Sequence, residues 1–306
     1  MAHLNREQRR GVVSTIVASF FLGWAPILGK LAYASGVTPF TLVALRTLMA
    51  ALLLWLAFVL FWRSEIVIVW RDMVGCIGVG AVNGFGSLLY FTSLSRIDAS
   101  RASLLNTLYP LWVVLFLFAA GQPLTRLTLA RLSLAMLGLY LLTRAGPGEL
   151  DWLGVMLMIA SAATYGWHLV LGQWVLTDVP SRTATLYILT TMACVVGLAR
   201  VLQTQPVEPI AAAGWRAILA LGLTTTLSRL AMFSGLRRLG GVETALIGLL
   251  ELLVSLMLAF LLLGERLTPV QWAGGALLVI SLVLMARDPG MRIAEGNVPL
   301  EWKNSR

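Results

Sequence analysis

From Gly11 to Arg287 the sequence is a succession of apolar blocks. Each is about 20 residues long, the length of helix that crosses a ~30 Å hydrocarbon core. They stand at roughly 11–34, 40–61, 73–93, 99–119, 127–144, 152–176, 182–202, 215–237, 242–263 and 270–287. Stretches with Gly, Pro or charge separate them, among them SGVTP, SRIDAS, AGPGELD and TDVPS. The connections are too short to hold an inserted soluble domain. Charge is too scarce for a water-facing surface: 12% of residues are charged and 58% hydrophobic, against about a quarter and about half in soluble domains. Mean hydropathy is +0.85. The expected fold class is an all-α membrane protein with ten transmembrane helices in the lipid bilayer.

The net charge of +9 raises the question of nucleic acid. The basic residues are scattered singly between apolar blocks, a pattern of membrane topology and not of a basic groove, so no nucleic-acid partner is expected. With the N-terminus in the cytoplasm, cytoplasmic segments hold fourteen Arg and Lys residues, from Arg6, Arg9 and Arg10 through Arg63, Arg71, Arg126, Arg131, Arg182, Arg237 and Arg238 to Arg287, Arg292, Lys303 and Arg306. The outer ends hold six: Arg96, Arg101, Arg144, Arg200, Arg216 and Arg266. This imbalance predicts a multi-pass protein with both termini cytoplasmic. Cytoplasmic tails are expected at 1–10 and 289–306. No small-residue cleavage site follows the first block, so it is read as a retained helix. Cys76 and Cys194 fall inside apolar blocks and read as small packing residues, without disulfide or metal spacing.

Shifted by 143 residues, the sequence matches itself. Gly11, Val12, Ile16, Gly23, Trp24, Leu28 and Gly29 fall on Gly154, Val155, Ile159, Gly166, Trp167, Leu171 and Gly172. GQPLT at 121–125 falls on GERLT at 264–268, and Arg144 on Arg287. Leu on Leu is common in such a chain; matched Gly-Trp and Gly-x-x-Leu-Thr at one offset are not. The expected units are 11–145 and 146–288, each with five helices. An odd number of spans makes the second copy enter the membrane upside down. Inverted-topology repeats are typical of secondary transporters, which bind solute at the repeat interface and expose it alternately to the two sides. One chain holds both halves, so a monomer is expected.

GWAPILGKLA, PFTLVALRTLMAALLL with Arg46, LLYFTSLSRIDASRASLL and LLELLVSLMLAFLLLGERLTPVQWAGGALLVISLVL together are similar to the drug/metabolite transporter superfamily, in its ten-helix EamA-type branch. GQPLT departs from the pattern by lacking the Glu of GERLT. The resemblance covers nearly the whole chain. It implies a bacterial inner-membrane exporter of small amphipathic metabolites, with amino acids, and among them aromatic ones, as the preferred solutes.

A transporter needs polar groups at membrane depth facing a cavity, because facing lipid there is costly. Thr244, Gly248, Glu251 and Ser255 recur at helical spacing on one face. Glu251 is the one acidic residue deep inside a span; it reads as a proton-linked or amine-binding group, or as the counter-ion of Arg229 or Arg46. Arg229, beside Thr225 and Thr226, reads first as a structural partner of Glu251 and second as a ligand for a solute carboxylate. His168 can bond solute or move a proton; one His builds no metal site. Asn83, Ser87 and Tyr90 share a face of the third block, and Ser103, Asn106, Tyr109 and Pro110 a side of the fourth. Their bland role is interhelical hydrogen bonding. Pro26 predicts a kink in the first helix. Trp24 beside it and its repeat mate Trp167 suit a flat apolar solute if they face one cavity, and otherwise pack the repeat interface. Trp55, Trp62, Trp70, Trp152, Trp215 and Trp272 lie mostly at span ends, as an interfacial belt. The expected binding set is Trp24, Asn83, Tyr90, Tyr109, Trp167, His168 and Glu251.

No GxxxxGK[ST] stretch occurs, which leaves downhill facilitation or proton coupling as the drive. An exporter of lipophilic cations, with Glu251 as the cation ligand, is the alternative within the same fold. An intramembrane enzyme is the remote one: no HExxH, Ser-His-Asp-like or Asp-rich motif is present, and neither catalysis nor a cofactor is expected.

Overall fold

The computed structural model of the chain describes residues 6–119, 133–134, 137–138, 140–141, 151–203 and 209–286. The elements are α1 (Arg6–Leu22), α2 (Ala25–Ala34), α3 (Pro39–Phe61), a 3-10 turn (Arg63–Glu65), α4 (Trp70–Leu94), α5 (Ala99–Asn106) and α6 (Tyr109–Ala119). They continue with α7 (Trp152–Val175), α8 (Ser181–Leu202), α9 (Ala212–Leu239), α10 (Gly241–Gly248), α11 (Leu250–Leu258), a π-helical turn (Ala259–Leu263) and α12 (Pro269–Ala286). No strand occurs among the described residues. Seven helical stretches there are long and apolar enough to cross a membrane, counting 6–34 and 241–263 as one each. Most of the block at 127–144 lies outside the described residues, as do GQPLT and the tail 289–306. The first helix already includes residues 6–10, expected as tail. Glu7 accepts from Arg10 at 2.9 Å and from Arg238 at 3.0 Å, which gives this polar turn its partners.

Three blocks are broken near mid-length, each for a local reason. The first parts at Gly23–Trp24, and Pro26 sits in the opening turn of α2, where its missing N–H is tolerated. The Ser255 hydroxyl donates to the Gly23 carbonyl at 3.0 Å, so a neighbouring helix supplies a donor at the break. The fourth block parts at Thr107–Leu108, with Pro110 in the opening turn of α6. The ninth parts at Leu249 without a proline. There the Tyr109 hydroxyl donates to the Ala245 carbonyl at 2.9 Å, the group that an unbroken helix would offer to the Leu249 N–H. Thr107 plus 143 is Leu250, so the fourth and ninth blocks break at nearly the same place in the repeat.

The two ends of the repeat unit have visible roles. Gly264, with φ of 68°, ends the π-helical turn in the left-handed conformation that suits glycine. Next to it, the Glu265 carboxylate accepts from the Ala99 N–H at 3.0 Å and the Ser100 N–H at 2.8 Å. It thereby caps the start of α5 with negative charge. At the start of α10, Gln173 accepts from the Gly241 N–H at 2.7 Å.

Exchanging the halves preserves the packing pattern. α1 packs on α9 as its counterpart α7 packs on α4; α3 packs on α9 as α8 packs on α4; and α3 and α8 pack on each other. Close approach explains the matched glycines. A Cβ on Gly11 would stand 2.8 Å from Leu239, and one on Gly154 2.7 Å from Ile97. A Cβ on Gly23 would stand 2.6 Å from Val254 of α11, and one on Gly166 2.9 Å from the Tyr109 carbonyl oxygen of α6. Side chains at these places would push apart the helices that the repeat packs together.

Buried side chains form three clusters: around Ile27, Leu94 and Met158; around Val113, Leu169 and Phe233; and around Leu54, Phe58 and Met192. The outer faces are apolar as well: Leu52, Leu56, Leu253, Phe260 and Leu261 are all exposed, as lipid-facing residues are. Trp70, Trp152 and Trp272 are exposed near helix starts, as a belt requires. Trp55 departs from that expectation. Its Nε1 donates to Thr190 at 3.0 Å and its ring lies edge-on to Tyr187, so it packs α3 on α8. Cys76 is buried, whereas Cys194 is exposed on α8 and packs nothing inside.

Candidate functional site

The broken ends of the first, fourth and ninth blocks meet around one narrow cavity. It is tight in this structure, with room for about one water molecule, and lies between α1, α6, α7, α9, α10 and α11. Ala18, Leu22, Leu169 and Met232 give it apolar walls; Tyr109, Tyr165, Thr244 and Glu251 give it polar ones. Tyr109 and Tyr165 meet edge to face with ring centroids 4.9 Å apart.

Glu251 lies in the first turn of α11, only 9% exposed. Two features stabilise a carboxylate there. The N-terminal end of a helix segment carries a partial positive charge, and Asn106, the last residue of α5, donates its Nδ2–H to Oε1 at 2.9 Å. The helix breaks therefore put a hydrogen-bonded acid at the joint between half-helices. The expectation that Arg229 or Arg46 pairs directly with Glu251 is not met. Arg229 is within electrostatic range of Glu251, but both arginines are held elsewhere by neutral partners.

Arg46 reaches from α3 between α4 and α9. It donates to the Thr225 hydroxyl at 3.0 Å and to the Ser87 hydroxyl, with its guanidinium 4.3 Å from the centre of the Phe91 ring. Arg229 of α9 donates to the Asn83 Oδ1 at 3.0 Å and to the Met232 sulfur at 3.6 Å, and lies 5.6 Å from the Tyr165 ring centre. Asn83 and Ser87 are one turn apart on α4, as Thr225 and Arg229 are on α9, so the two guanidiniums occupy adjacent rungs. They are close enough to repel each other.

Of the expected binding set, Tyr109 and Glu251 line the cavity, and Thr244 and Gly248, on the same helical face as Glu251, line it too. Asn83 stands behind its wall as the partner of Arg229. His168 is fully buried between Tyr165, at 5.7 Å between ring centroids, and Phe233, at 5.5 Å. Neither of its ring nitrogens makes a hydrogen bond of ordinary geometry, although the Val79 backbone lies within reach. Tyr90 packs edge-on against Phe91. The structure does not bring Trp24 and Trp167 together. Trp24 packs in the cluster around Ile27, and Trp167 packs on Phe116 at 5.0 Å and Trp174 at 6.2 Å in the cluster around Phe233. Sequence reasoning left Tyr165, Met232 and Arg46 out of the binding set. Their common signal was a position on the inner faces of α7, α9 and α3, which only the packing reveals.

The arrangement offers one acid, two guanidiniums and aromatic walls at membrane depth, with discontinuous helices around them. Such interrupted helices at depth are tolerated where they are buried in protein or line a cavity. Comparison with known proteins agrees. Among curated proteins, the "Uncharacterized transporter YcbK" of Bacillus subtilis (strain 168) is 25% identical over 292 residues, which cover 90% of this chain and 93% of that protein. A solved structure described only as a protein superposes with a TM-score of 0.66 at 20% identity, covering 90% of this chain and 96% of the other, and so shares its fold. The family model described as "EamA-like transporter family" matches twice, at residues 9–144 and 152–287. The chain belongs to the EamA-like transporter family, with two copies of the family's unit in one multi-helix membrane protein.

Proposed function

We propose that the chain is a secondary transporter that works by alternating access and exports small amphipathic metabolites, amino acids first and aromatic ones among them. The observation that carries the reading is the Glu251–Asn106 pair at the joint of two broken helices, in a cavity otherwise walled by tyrosines and aliphatic side chains. A carboxylate suits an ammonium group, and the walls suit an apolar or aromatic side chain. The reading takes ten helices as two five-helix halves, 11–145 and 146–288, inserted in opposite directions. It places both tails in the cytoplasm of a bacterium, the chain in the inner membrane as a monomer, and a proton on Glu251 as the coupling ion.

The test is flux from purified protein in liposomes loaded in turn with each of a panel of amino acids, with and without a pH gradient. At least one amino acid should move faster than from protein-free liposomes, a pH gradient should change the rate, and Glu251→Gln should cut it about tenfold or more. Flux of no amino acid would end this reading. Export of lipophilic cations is the second reading, favoured by an acid beside aromatic rings and opposed by two guanidiniums nearby. It predicts that Glu251→Gln abolishes uptake of a cationic dye into inside-out vesicles while amino-acid flux is absent from the wild type.

A further inference from the structure

We propose that Arg46, Asn83 and Arg229 form a carboxylate-binding subsite behind the Tyr165–Met232 wall of the cavity. It deepens, and rests on, the amino-acid reading above, by giving the solute's carboxylate a place separate from its ammonium. Three observations meet here. First, Arg46, Asn83 and Arg229 are 5%, 4% and 7% exposed, and arginine does not lose its proton inside a protein. A buried charge costs several kcal/mol unless a counter-charge offsets it. Among the described residues both guanidiniums are bonded to neutral groups, Thr225, Ser87, Asn83 and Met232, and Arg229 also has the neutral Tyr165 hydroxyl within reach. Second, while Thr47, His168 and Thr244 outside this three-residue cluster have unpartnered atoms as well, within it Nε of Arg46, Nε of Arg229 and Nδ2 of Asn83 are left without a partner. All three are donors, so the cluster lacks acceptors. Third, two cations stand on adjacent rungs, and the buried acid near them among the described residues, Glu251, binds neither directly.

A carboxylate meets all three conditions. It brings one negative charge and two oxygens in the plane that a guanidinium fork matches. Access runs past Tyr165, whose hydroxyl donates to the Met232 sulfur at 3.1 Å. A thioether is a weak acceptor, so this contact opens at small cost. A solute with its ammonium at Glu251 and its carboxylate at the two arginines would balance the buried charge of the site.

The test needs no transport. The full-length chain in detergent is melted at fixed chloride with 3-phenylpropionate, with phenethylamine and with inorganic phosphate. At concentrations ten times the dissociation constant, 3-phenylpropionate should raise the wild-type Tm by roughly 2–4 °C. Arg46→Gln and Arg229→Gln should abolish that rise and, because each removes an uncompensated charge, leave the unliganded Tm unchanged or higher. Asn83→Asp places a carboxylate 3.0 Å from the Arg229 guanidinium; it should raise the unliganded Tm and remove the response to 3-phenylpropionate, and it serves where a Gln variant fails to fold. The subsite is overturned if 3-phenylpropionate leaves the wild type unmoved, if phosphate alone stabilises, or if the Asn83→Asp response matches that of the wild type. A carboxylate response without flux of any amino acid would keep the subsite and end the amino-acid reading. Amino-acid flux without a carboxylate response would do the reverse.

Discussion

Glu251 and Asn106 show how one buried pair separates structure from transport. Asn106 gives the acid its side-chain donor, at 2.9 Å. Asn106→Leu should lower stability by about 2–3 kcal/mol, because it leaves a buried charged acceptor without its bond. Thermal unfolding in detergent would show this as a fall in Tm. Glu251→Gln should do the opposite to stability. The amide oxygen still accepts from Asn106, and the cost of burying a charge disappears, so Tm holds or rises while flux falls. A Glu251→Gln variant with both low Tm and low flux would mean that the acid is a structural group. Glu251 was legible in the sequence because an acid deep in an apolar block has few explanations. The roles of Arg46 and Arg229 were not. Their depth could be read, but which helix each faces depends on packing, and that gave both hydrogen-bond partners on α4.

At the scale of elements, the break at Pro26 is expected from the sequence, whereas those at Thr107–Leu108 and at Leu249 are not. Pro26 and Pro110 carry their effect in their own rings. At Leu249 a hydroxyl from another helix, Tyr109, takes the Ala245 carbonyl, and Gly248, the local signal, leaves room for it by lacking a Cβ. Tyr109→Phe should therefore tighten the α10–α11 joint, and hydrogen exchange of the Leu249 amide should slow relative to the wild type. Glycine contacts give a second test. A Cβ on Gly166 would lie 2.9 Å from the Tyr109 carbonyl oxygen and 3.1 Å from the Val113 nitrogen, both backbone atoms that cannot step aside. Gly166→Ala should cost about 1–3 kcal/mol through strain between α6 and α7. Gly78→Ala and Gly197→Ala are the controls: nothing lies within 4 Å of a Cβ at either place, and alanine is the better helix former. If all three variants melt alike, close packing is not why Gly166 matches Gly23.

At the scale of the molecule, the positions where the two copies agree and those where they differ do separate work. The matched glycines Gly11 and Gly154, and Gly23 and Gly166, sit at close helix contacts in both halves. The polar groups in and around the cavity fall where the copies part: under the 143-residue offset Glu251 stands on Leu108, Arg229 on Gly86, Arg46 on Leu189, His168 on Ala25 and Tyr165 on Leu22. The repeat thus supplies two matching halves, and divergence supplies the polar side chains between them. If the halves are inserted in opposite directions, their equivalent loops must open to opposite faces. Single cysteines at Pro123 and Arg266, in a background with Cys76→Ala and Cys194→Ala, test this in whole cells with a membrane-impermeant maleimide. Arg266→Cys should label in intact cells, since Glu265 beside it caps α5 at the end where Arg96 and Asp151 also pair at 3.3 Å. Pro123→Cys should label only after the membrane is opened. Equal labelling of both in intact cells would mean parallel halves. The exchange symmetry of the helix contacts would then need a twofold axis along the membrane normal instead of within its plane, and the cavity would open to one side only through a different motion.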